Sequence, residues 1–197
     1  MATNPFLDCG QGWQTYDGSI CDSFTSGIDA AILLKVGVDK SEVFTGTEPN
    51  DTIDPAKVQA LLDSGDAQII KGLRIGIDAP SATTSDSYVA CAPETVSNYT
   101  RSLTWKDRKV TGVVTRFYNS INASSGFTVG SMILHECAAD RNTYIDSLIT
   151  FQGGRVSPEG EELQRFEFTV NWKSIADPIP YPSAAIWDLV PASGSGS

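Results

Sequence analysis

The sequence predicts a mainly β fold, either a β-sandwich or a partly closed barrel, with one or two short flanking helices. The chain contains 17 Gly and 10 Pro in 197 residues, which indicates frequent turns. Its apolar runs are short, and several alternate with polar residues at the period of a half-buried strand. β-branched and aromatic residues are concentrated in those runs. Together these features favour short strands over long helices.

The length fits one domain with an irregular segment at each end. Residues 1–27 are rich in Gly and Ser, and we expect them to form an irregular arm. Residues 28–176 are predicted to form a β-rich core with an exposed polar loop near residues 80–87. Residues 177–197 are predicted to form an extended, proline-rich tail that ends in a flexible Ser-Gly repeat.

The core is predicted to begin with a buried strand. The apolar run Ala30–Val38 is bounded by Asp29 and Asp39, and its length fits a strand better than a helix. A second strand is predicted over Ala67–Asp78, because polar and apolar residues alternate from Lys71 to Ile77.

A short helix is predicted between these two strands. Asp54 can cap free amides, Pro55 suits the first helical position, and Gly65 can end the helix. Apolar residues recur at positions i, i+3 and i+4, so one face of the helix is expected to pack on a sheet. That face consists of Val58, Leu61 and Leu62.

The second half of the core is predicted to contain further strands and one more helix. Arg101–Lys106 and Lys109–Tyr118 are predicted as consecutive strands, followed by a polar connection over Asn119–Gly126. Phe127–Ala138 is predicted as another strand. Asp140–Ile149 is predicted as a helix, because Tyr144, Ile145 and Leu148 have helical spacing behind a capping aspartate.

The strongest strand prediction covers Leu163–Trp172, where polar and apolar residues alternate strictly. One face carries Phe166, Phe168, Val170 and Trp172, and the other carries Arg165, Glu167, Thr169 and Asn171.

Charge and hydropathy argue against nucleic acid and membranes as partners. The chain has 14 basic and 24 acidic residues, a formal net charge of −10, so it offers few cations to neutralise phosphates. Its longest apolar runs, 28–38 and 129–134, are too short or too broken to span a bilayer. The N-terminus has neither the basic start nor the apolar centre of a secretory signal, so we expect synthesis and folding in a cytoplasm.

The single histidine gives no catalytic motif. His135 and Cys137 share a strand face, but thiol hydrolases draw base and nucleophile from distant segments and need a third group that orients the base. A zinc-peptidase motif needs a second histidine where this chain has Ala139. We therefore interpret His135 as structural.

The cysteines form no metal-binding or redox motif, because Cys9, Cys21, Cys91 and Cys137 include no C-x-x-C pair. Buried free thiols are the default interpretation. A bridge between Cys9 and Cys21 remains an alternative if the protein reaches an oxidising compartment.

The acidic residues likewise give no recognisable site. A cluster of Glu159, Glu161 and Glu162 is typical of a solvated turn. Asp51 and Asp54 lack the oxygen-rich loop and closing glutamate of a calcium site. We therefore assign no catalytic, cofactor-binding or metal-ligating residue, expect no cofactor, and do not expect an enzyme.

Three segments resemble the strand, helix and strand pattern of virion proteins of tailed phages, in particular tail tube subunits. They are Arg101–Lys109, Asp140–Phe151 and Phe166–Lys173, within a resemblance that covers about half the chain. It implies a subunit that assembles with itself and other virion proteins, by sheet-edge pairing, into stacked rings around a DNA channel. It also implies an acidic lumen, a location in the virion, and clasping of neighbours by the arm and the 80–87 loop.

Two other classes of function remain as alternatives. Trp13, Trp105 and Trp187, if exposed, would suit a carbohydrate- or ligand-binding β-sandwich. A hydrolase with an unrecognised pair of carboxylates is the second alternative, because 24 acidic residues allow many pairs.

Overall fold

The computed structural model describes residues 27–77, 81–85, 95–123, 129–136, 141–157, 164–174, 178–182 and 184–191. The predicted arm, apart from Gly27, lies outside these residues, and so does the C-terminal Ser-Gly repeat.

The described part of the chain is mainly β, with two α-helices and a short 3-10 turn at Lys40–Glu42. In chain order the elements are β1 (Ile28–Lys35), β2 (Phe44–Thr45), β3 (Thr52–Ile53), α1 (Pro55–Ser64), β4 (Ala67–Ile77), β5 (Ser81–Ser85), β6 (Thr95–Asp107), α2 (Gly112–Ala123), β7 (Val129–Glu136), β8 (Arg141–Ile145), β9 (Ile149–Val156), β10 (Arg165–Ser174) and β11 (Ile179–Pro182). The fold class predicted from the sequence is confirmed.

Nine of these strands form one antiparallel sheet that curls into a partly closed barrel. The ring runs β1–β4–β6–β10–β9–β7 and returns to β1. Its closure between β7 and β9 consists of a single residue pair, Val129 with Ile149. Strand β5 extends the sheet beside β6, and β8 and β11 extend it beyond β7. Strands β2 and β3 form a separate two-stranded sheet.

Strand β1 lies between two apolar layers. Every residue from Ile28 to Leu34 is buried, which explains an apolar run without alternation. Leu33 packs in the layer inside the ring, whereas Ile32 and Leu34 pack in the layer outside it. The predicted strand is confirmed, although it ends at Lys35.

An inner cluster fills the ring, with buried side chains from all six ring strands and from α2. The aromatic face predicted for β10 points into it, and each of those four side chains is at most 4% exposed. Such aromatic side chains dominate core energetics. The largest side chains of the inner cluster that are almost completely buried are Trp105, Tyr118, Phe117, Phe168, Leu33, Ile70, Leu73, Leu103, Ile121 and Met132.

An outer cluster covers the opposite face of β1, β4 and β7. It contains side chains from α1, from the β2–β3 sheet, from β8 and β11, and from the segment 184–191: Ile32, Leu34, Val43, Phe44, Ile53, Val58, Leu61, Leu62, Ala67, Ile69, Ile133, Tyr144, Tyr181 and Ile186.

Helix α1 forms as the sequence predicts. The Asp54 side chain accepts a hydrogen bond from the backbone N–H of Ala56 at 2.9 Å, and Pro55 occupies the first turn. Gly65 ends the helix with φ of 75°, a left-handed conformation that a residue with a Cβ rarely adopts. The three predicted apolar residues are buried in the outer cluster.

The strand predicted over Lys109–Tyr118 is wrong, because α2 occupies most of this segment and extends through part of the predicted polar connection. The apolar residues there have helical spacing, and the helix can bury them on one face in the inner cluster. Thr111 supports the start of the helix, since its hydroxyl accepts a hydrogen bond from the N–H of Val114 at 3.2 Å. The buried face consists of Val114, Phe117, Tyr118 and Ile121.

The helix predicted over Asp140–Ile149 is also wrong. Residues 141–145 form β8, which pairs with β7 on one edge and with β11 on the other. Residues 142–145 are all buried, so both faces of the strand are covered and helical amphipathicity is not required. Strand pairing on both edges therefore explains why this segment is a strand and not a helix.

Two segments predicted to lack regular structure contain short strands. Residues 81–85 of the predicted 80–87 loop form β5, whose backbone pairs with β6 regardless of side-chain polarity. In the predicted tail, residues 179–182 form β11 at the edge of the sheet, where strands tolerate proline. Both predictions were wrong because they were based on the side chains of these segments. They did not consider that the backbone of each segment could pair with a neighbouring strand.

Candidate functional site

A charged cluster on the outer face centres on Lys40, in the turn after β1. The Lys40 Nζ lies 2.8 Å from the Asp51 Oδ2 and also contacts the Glu48 carboxylate. The same ammonium lies 5.1 Å from the ring centroid of Phe44 and 5.8 Å from that of Tyr181. Carboxylates and aromatic faces therefore enclose this cation, an arrangement that stabilises a positive charge.

The protonation states of this cluster follow from its geometry. Burial opposes the charged form of Lys40, but hydrogen bonds to Asp51 and Glu48 outweigh it and raise the pKa of Lys40 above its ordinary value. The hydrogen bond from Lys40 holds the pKa of Asp51 below its ordinary value. Burial raises the pKa of Tyr181. Near neutral pH, Lys40 is therefore positively charged, Asp51 is negatively charged, and the two form an ion pair.

A cleft of about 180 Å³ opens beside this cluster. Its walls come from the 39–54 segment, the end of β8 with the turn after it, the end of β10, and the start of β11. The lining side chains that matter chemically are Lys40, Glu48, Tyr144, Asp146, Trp172 and Ile179.

Two aromatic residues of this lining are buried. Tyr144 and Trp172 are each 4% exposed. Burial raises the pKa of Tyr144 to about 12, so its phenol stays neutral. The indole Nε1 of Trp172 has no hydrogen-bond acceptor among the described residues. A buried polar group without a partner costs free energy, so this N–H lowers the stability of the fold.

The cleft is acidic at its rim. Glu48 has a side chain 66% exposed, and Asp146 is also exposed. Asp51 has a side chain 6% exposed, and it and Glu48 are the two carboxylates that pair with the Lys40 ammonium among the described residues. The lowered pKa of Asp51 is the reverse of what a general acid requires. The arrangement suits binding of positive charge better than acid–base catalysis.

His135 has a hydrogen-bond partner, as expected for a histidine with a structural role. Its Nδ1 lies 2.7 Å from the Asp29 Oδ1, and its ring packs 4.9 Å from the ring of Trp187. Strands β7 and β1, which carry His135 and Asp29, are neighbours in the sheet. Cys137, the alternative nucleophile, lies outside the described residues.

Other candidates from the sequence are placed as follows. Trp105, which would have suited a ligand-binding module if it were exposed, is fully buried in the inner cluster, so it does not support that alternative. Trp187 is half-buried, and its indole donates to the Asn142 Oδ1 at 2.8 Å. Trp13, the cysteines and the 159–162 glutamates lie outside the described residues.

Sequence reasoning missed the Lys40 cluster and its cleft. The available signal was a polar segment between β1 and α1 that holds Lys40, Glu48 and Asp51, but the strands that complete the walls come from distant parts of the chain. Among the residues that the structure describes, no group of three or more His, Cys, Asp or Glu could hold a metal ion. Neither α1 nor α2 is long and apolar enough to cross a membrane.

The sheet also has open edges. Within the described ranges, β5, β11 and the part of β9 after Ile149 have a strand partner on one edge only. Strand β11 carries Pro180 and Pro182, which have no N–H to offer a further strand. Strand β5 has no proline, so all five of its residues keep a backbone N–H.

Comparisons with models of protein families, with curated proteins and with solved structures found no match to this chain.

Proposed function

We propose that this protein is a structural subunit of a tailed-phage tail or related particle, which assembles with copies of itself into rings or a tube. The observation that carries the proposal is the edge of β5 that has no strand partner among the described residues. An open edge presents N–H and C=O groups that can pair with a strand from another chain.

The placement of the open edges supports assembly from head to tail. Strand β5 pairs with β6 over residues 95–100, on the flank of β6 opposite to β10. The open part of β9 lies on the far side of β10, level with residues 102–107 of β6. Two different edges on opposite flanks favour a heterologous contact, which closes into a ring when the rotation between subunits allows it.

The contrast between β5 and β11 supports β5 as the assembling edge. Proteins commonly protect an edge strand with proline, and β11 has two prolines in four residues. The formal charge of −10 further suits a subunit whose acidic lumen lets DNA pass without adhering.

The proposal is tested by solution mass and particle shape, measured by light scattering and negative-stain microscopy over a concentration series. We expect rings, tubes or one defined high oligomer. A protein that stays monomeric at every concentration contradicts the proposal.

Two neighbouring variants, Ala82→Pro and Thr83→Pro, localise the contact to β5. Successive backbone N–H groups of a strand point to opposite edges, so one variant removes an outward N–H and the other removes a bond to β6. We expect the outward variant to keep the thermal unfolding midpoint of the native protein and to lose assembly. If both variants fold and assemble normally, β5 is not the contact.

A further inference from the structure

We propose that residues 184–191 form a strap whose docking on the outer face of the sheet is controlled by the protonation of His135, and that protonation tightens the docking. The side chains that couple the strap to this charge are Trp187 on the strap and His135 on β7. This inference does not depend on the proposed function, because all of these contacts lie within one chain.

The strap covers part of the outer cluster and is held there by apolar and polar contacts. The side chain of Ile186 is completely buried among the apolar residues of that cluster. The indole Nε1 of Trp187 donates to the Asn142 Oδ1 at 2.8 Å. From helix α1, the Gln59 Nε2 donates to the Val190 carbonyl at 2.9 Å. Release of the strap would therefore expose apolar side chains that the docked strap keeps from water.

His135 lies against the strap tryptophan. The centroids of the two rings are 4.9 Å apart, and the ring planes are tilted by 41°. In the pairing of β7 with β8, His135 stands opposite Asn142, the residue that accepts from the Trp187 indole. The strap tryptophan thus contacts two neighbouring residues of the sheet, and one of them can carry a charge.

A buried carboxylate of β1 contacts the same imidazole ring. The His135 Nδ1 lies 2.7 Å from the Asp29 Oδ1, and the side chain of Asp29 is 5% exposed. Protonation of the ring makes this contact a charge-assisted hydrogen bond, which is stronger than the bond of a neutral ring. Because Trp187 packs on the ring, the docked strap lowers the local dielectric and strengthens the attraction between the two charges.

Protonation and docking favour each other through the indole. A cation within about 6 Å of the centre of an indole ring is attracted by the π face of that ring. Protonated His135 has this attraction only while the strap is docked, whereas the neutral ring has only the packing contact. Docking is therefore tightest where histidine is protonated. It weakens as the pH rises from about 5 to about 8, the range in which histidine normally loses its proton.

The other charged groups around this site are of types that ordinarily titrate outside that range. Next to His135 in the chain, Glu136 pairs with Arg141 of β8. Level with His135 across β1 lies Lys71 of β4. Asp188 follows Trp187 on the strap and is exposed. Since the chain contains a single histidine, one substitution removes all histidine titration from the protein.

The test measures hydrogen exchange of the Trp187 indole N–H by NMR, with protein labelled with ¹⁵N, at several pH values between about 5 and 8. Each rate is divided by that of a free indole at the same pH, which gives a protection factor. Trp187→Phe identifies the signal by its loss. We expect the protection to fall by about two- to fivefold from the lowest to the highest pH, the range for a partly exposed cation–π contact.

The Trp105 indole is the internal control for this measurement. It donates to the Tyr118 hydroxyl inside the inner cluster, so its exchange reports opening of the fold as a whole. We expect its protection to lack the change seen at Trp187. If both indoles change by the same factor, the pH acts on the whole fold and the inference is overturned.

Three variants assign the effect to the imidazole. His135→Gln removes the titrating group but keeps a side-chain N–H that can donate to Asp29, so the pH dependence of Trp187 protection should disappear. Asp29→Asn removes the charge that holds the proton and should reduce the same dependence, which decides the question if His135→Gln does not fold. Asp188→Asn, an exposed carboxylate on the strap, is the matched control and should keep the native profile. Protection that does not fall as the pH rises, or a native profile in His135→Gln or Asp29→Asn, overturns the inference.

Discussion

The inner and outer clusters each contain polar groups, but these groups differ in how far they are shielded from solvent. Inside the ring, the Trp105 indole donates to the Tyr118 hydroxyl at 2.9 Å, and that hydroxyl donates to the Asp107 Oδ2 at 2.9 Å. The other oxygen of Asp107 accepts from the backbone N–H of Lys109 at 2.8 Å. All three side chains are at most 1% exposed.

Outside the ring, the Lys40 cluster is only partly covered. The side chain of Lys40 is 22% exposed and that of Glu48 is 66% exposed, and both residues line the cleft. The inner chain of hydrogen bonds is closed to solvent, whereas the ion pairs of Lys40 lie beside a cleft that opens to solvent. Polar groups are thus fully buried on one face and partly open to solvent on the other.

The largest expected effect is on the inner cluster. Trp105→Ala removes a fully buried ring that packs edge-on against Phe151 at 5.3 Å and leaves a cavity. We expect the free energy of unfolding, from urea titration, to fall by about 3–5 kcal/mol. Val190→Ala, at a side chain 72% exposed, is the control and should change it by less than about 0.5 kcal/mol. If Trp105→Ala lowered the free energy of unfolding as little as the control, the inner cluster would not be closely packed around this ring.

An effect of intermediate size is expected when one tyrosine from each cluster is replaced by phenylalanine. Tyr118→Phe leaves the Trp105 N–H and one oxygen of Asp107 without this partner, so we expect a loss of about 1–3 kcal/mol in urea unfolding. Tyr181→Phe should cost less, because its hydroxyl is 3.4 Å from the Asp51 Oδ2, at the limit of a hydrogen bond. Equal losses of unfolding free energy in the two variants would show that these hydroxyl groups contribute equally to stability in the two clusters.

The smallest effect is expected at Asp51, through the pH dependence of stability. Its pKa is lower in the folded chain than in the unfolded chain, so its contribution is present above about pH 4 and is lost as pH falls through the folded pKa. Asp51→Asn should therefore flatten the fall of the thermal midpoint as the pH drops below about 4.

The pH profile of the Asp51 variant has a matched control in Asp188→Asn, at an exposed position in the C-terminal segment. Part of the acid dependence should persist in both variants, because the pKa values of Asp66 and Glu167 are also lowered. Identical profiles for Asp51→Asn and the native protein would show that the Lys40 pair does not stabilise the fold.

The sequence predicts those elements whose own residues carry a complete local signal. Helix α1 has its cap, its proline and its terminal glycine, and β10 has strict alternation over a half-buried surface. Helix α2 is supported at its start by Thr111 but has no proline there, and β8 has no alternation; the type of each segment depends on packing against the ring or on pairing with β7 and β11. The candidate site was not predictable, because its walls meet only when distant strands come together.

By itself, the sequence determined the mainly β class, the buried first strand, the capped helix and the aromatic face of β10, because apolar period and backbone preferences act within a few residues. Only the tertiary structure decided which of the described strands pair and that Lys40, Glu48, Asp146 and Trp172 line one cleft. The physical reason is that strand pairing satisfies backbone groups between segments far apart in the chain, so no local pattern records its outcome.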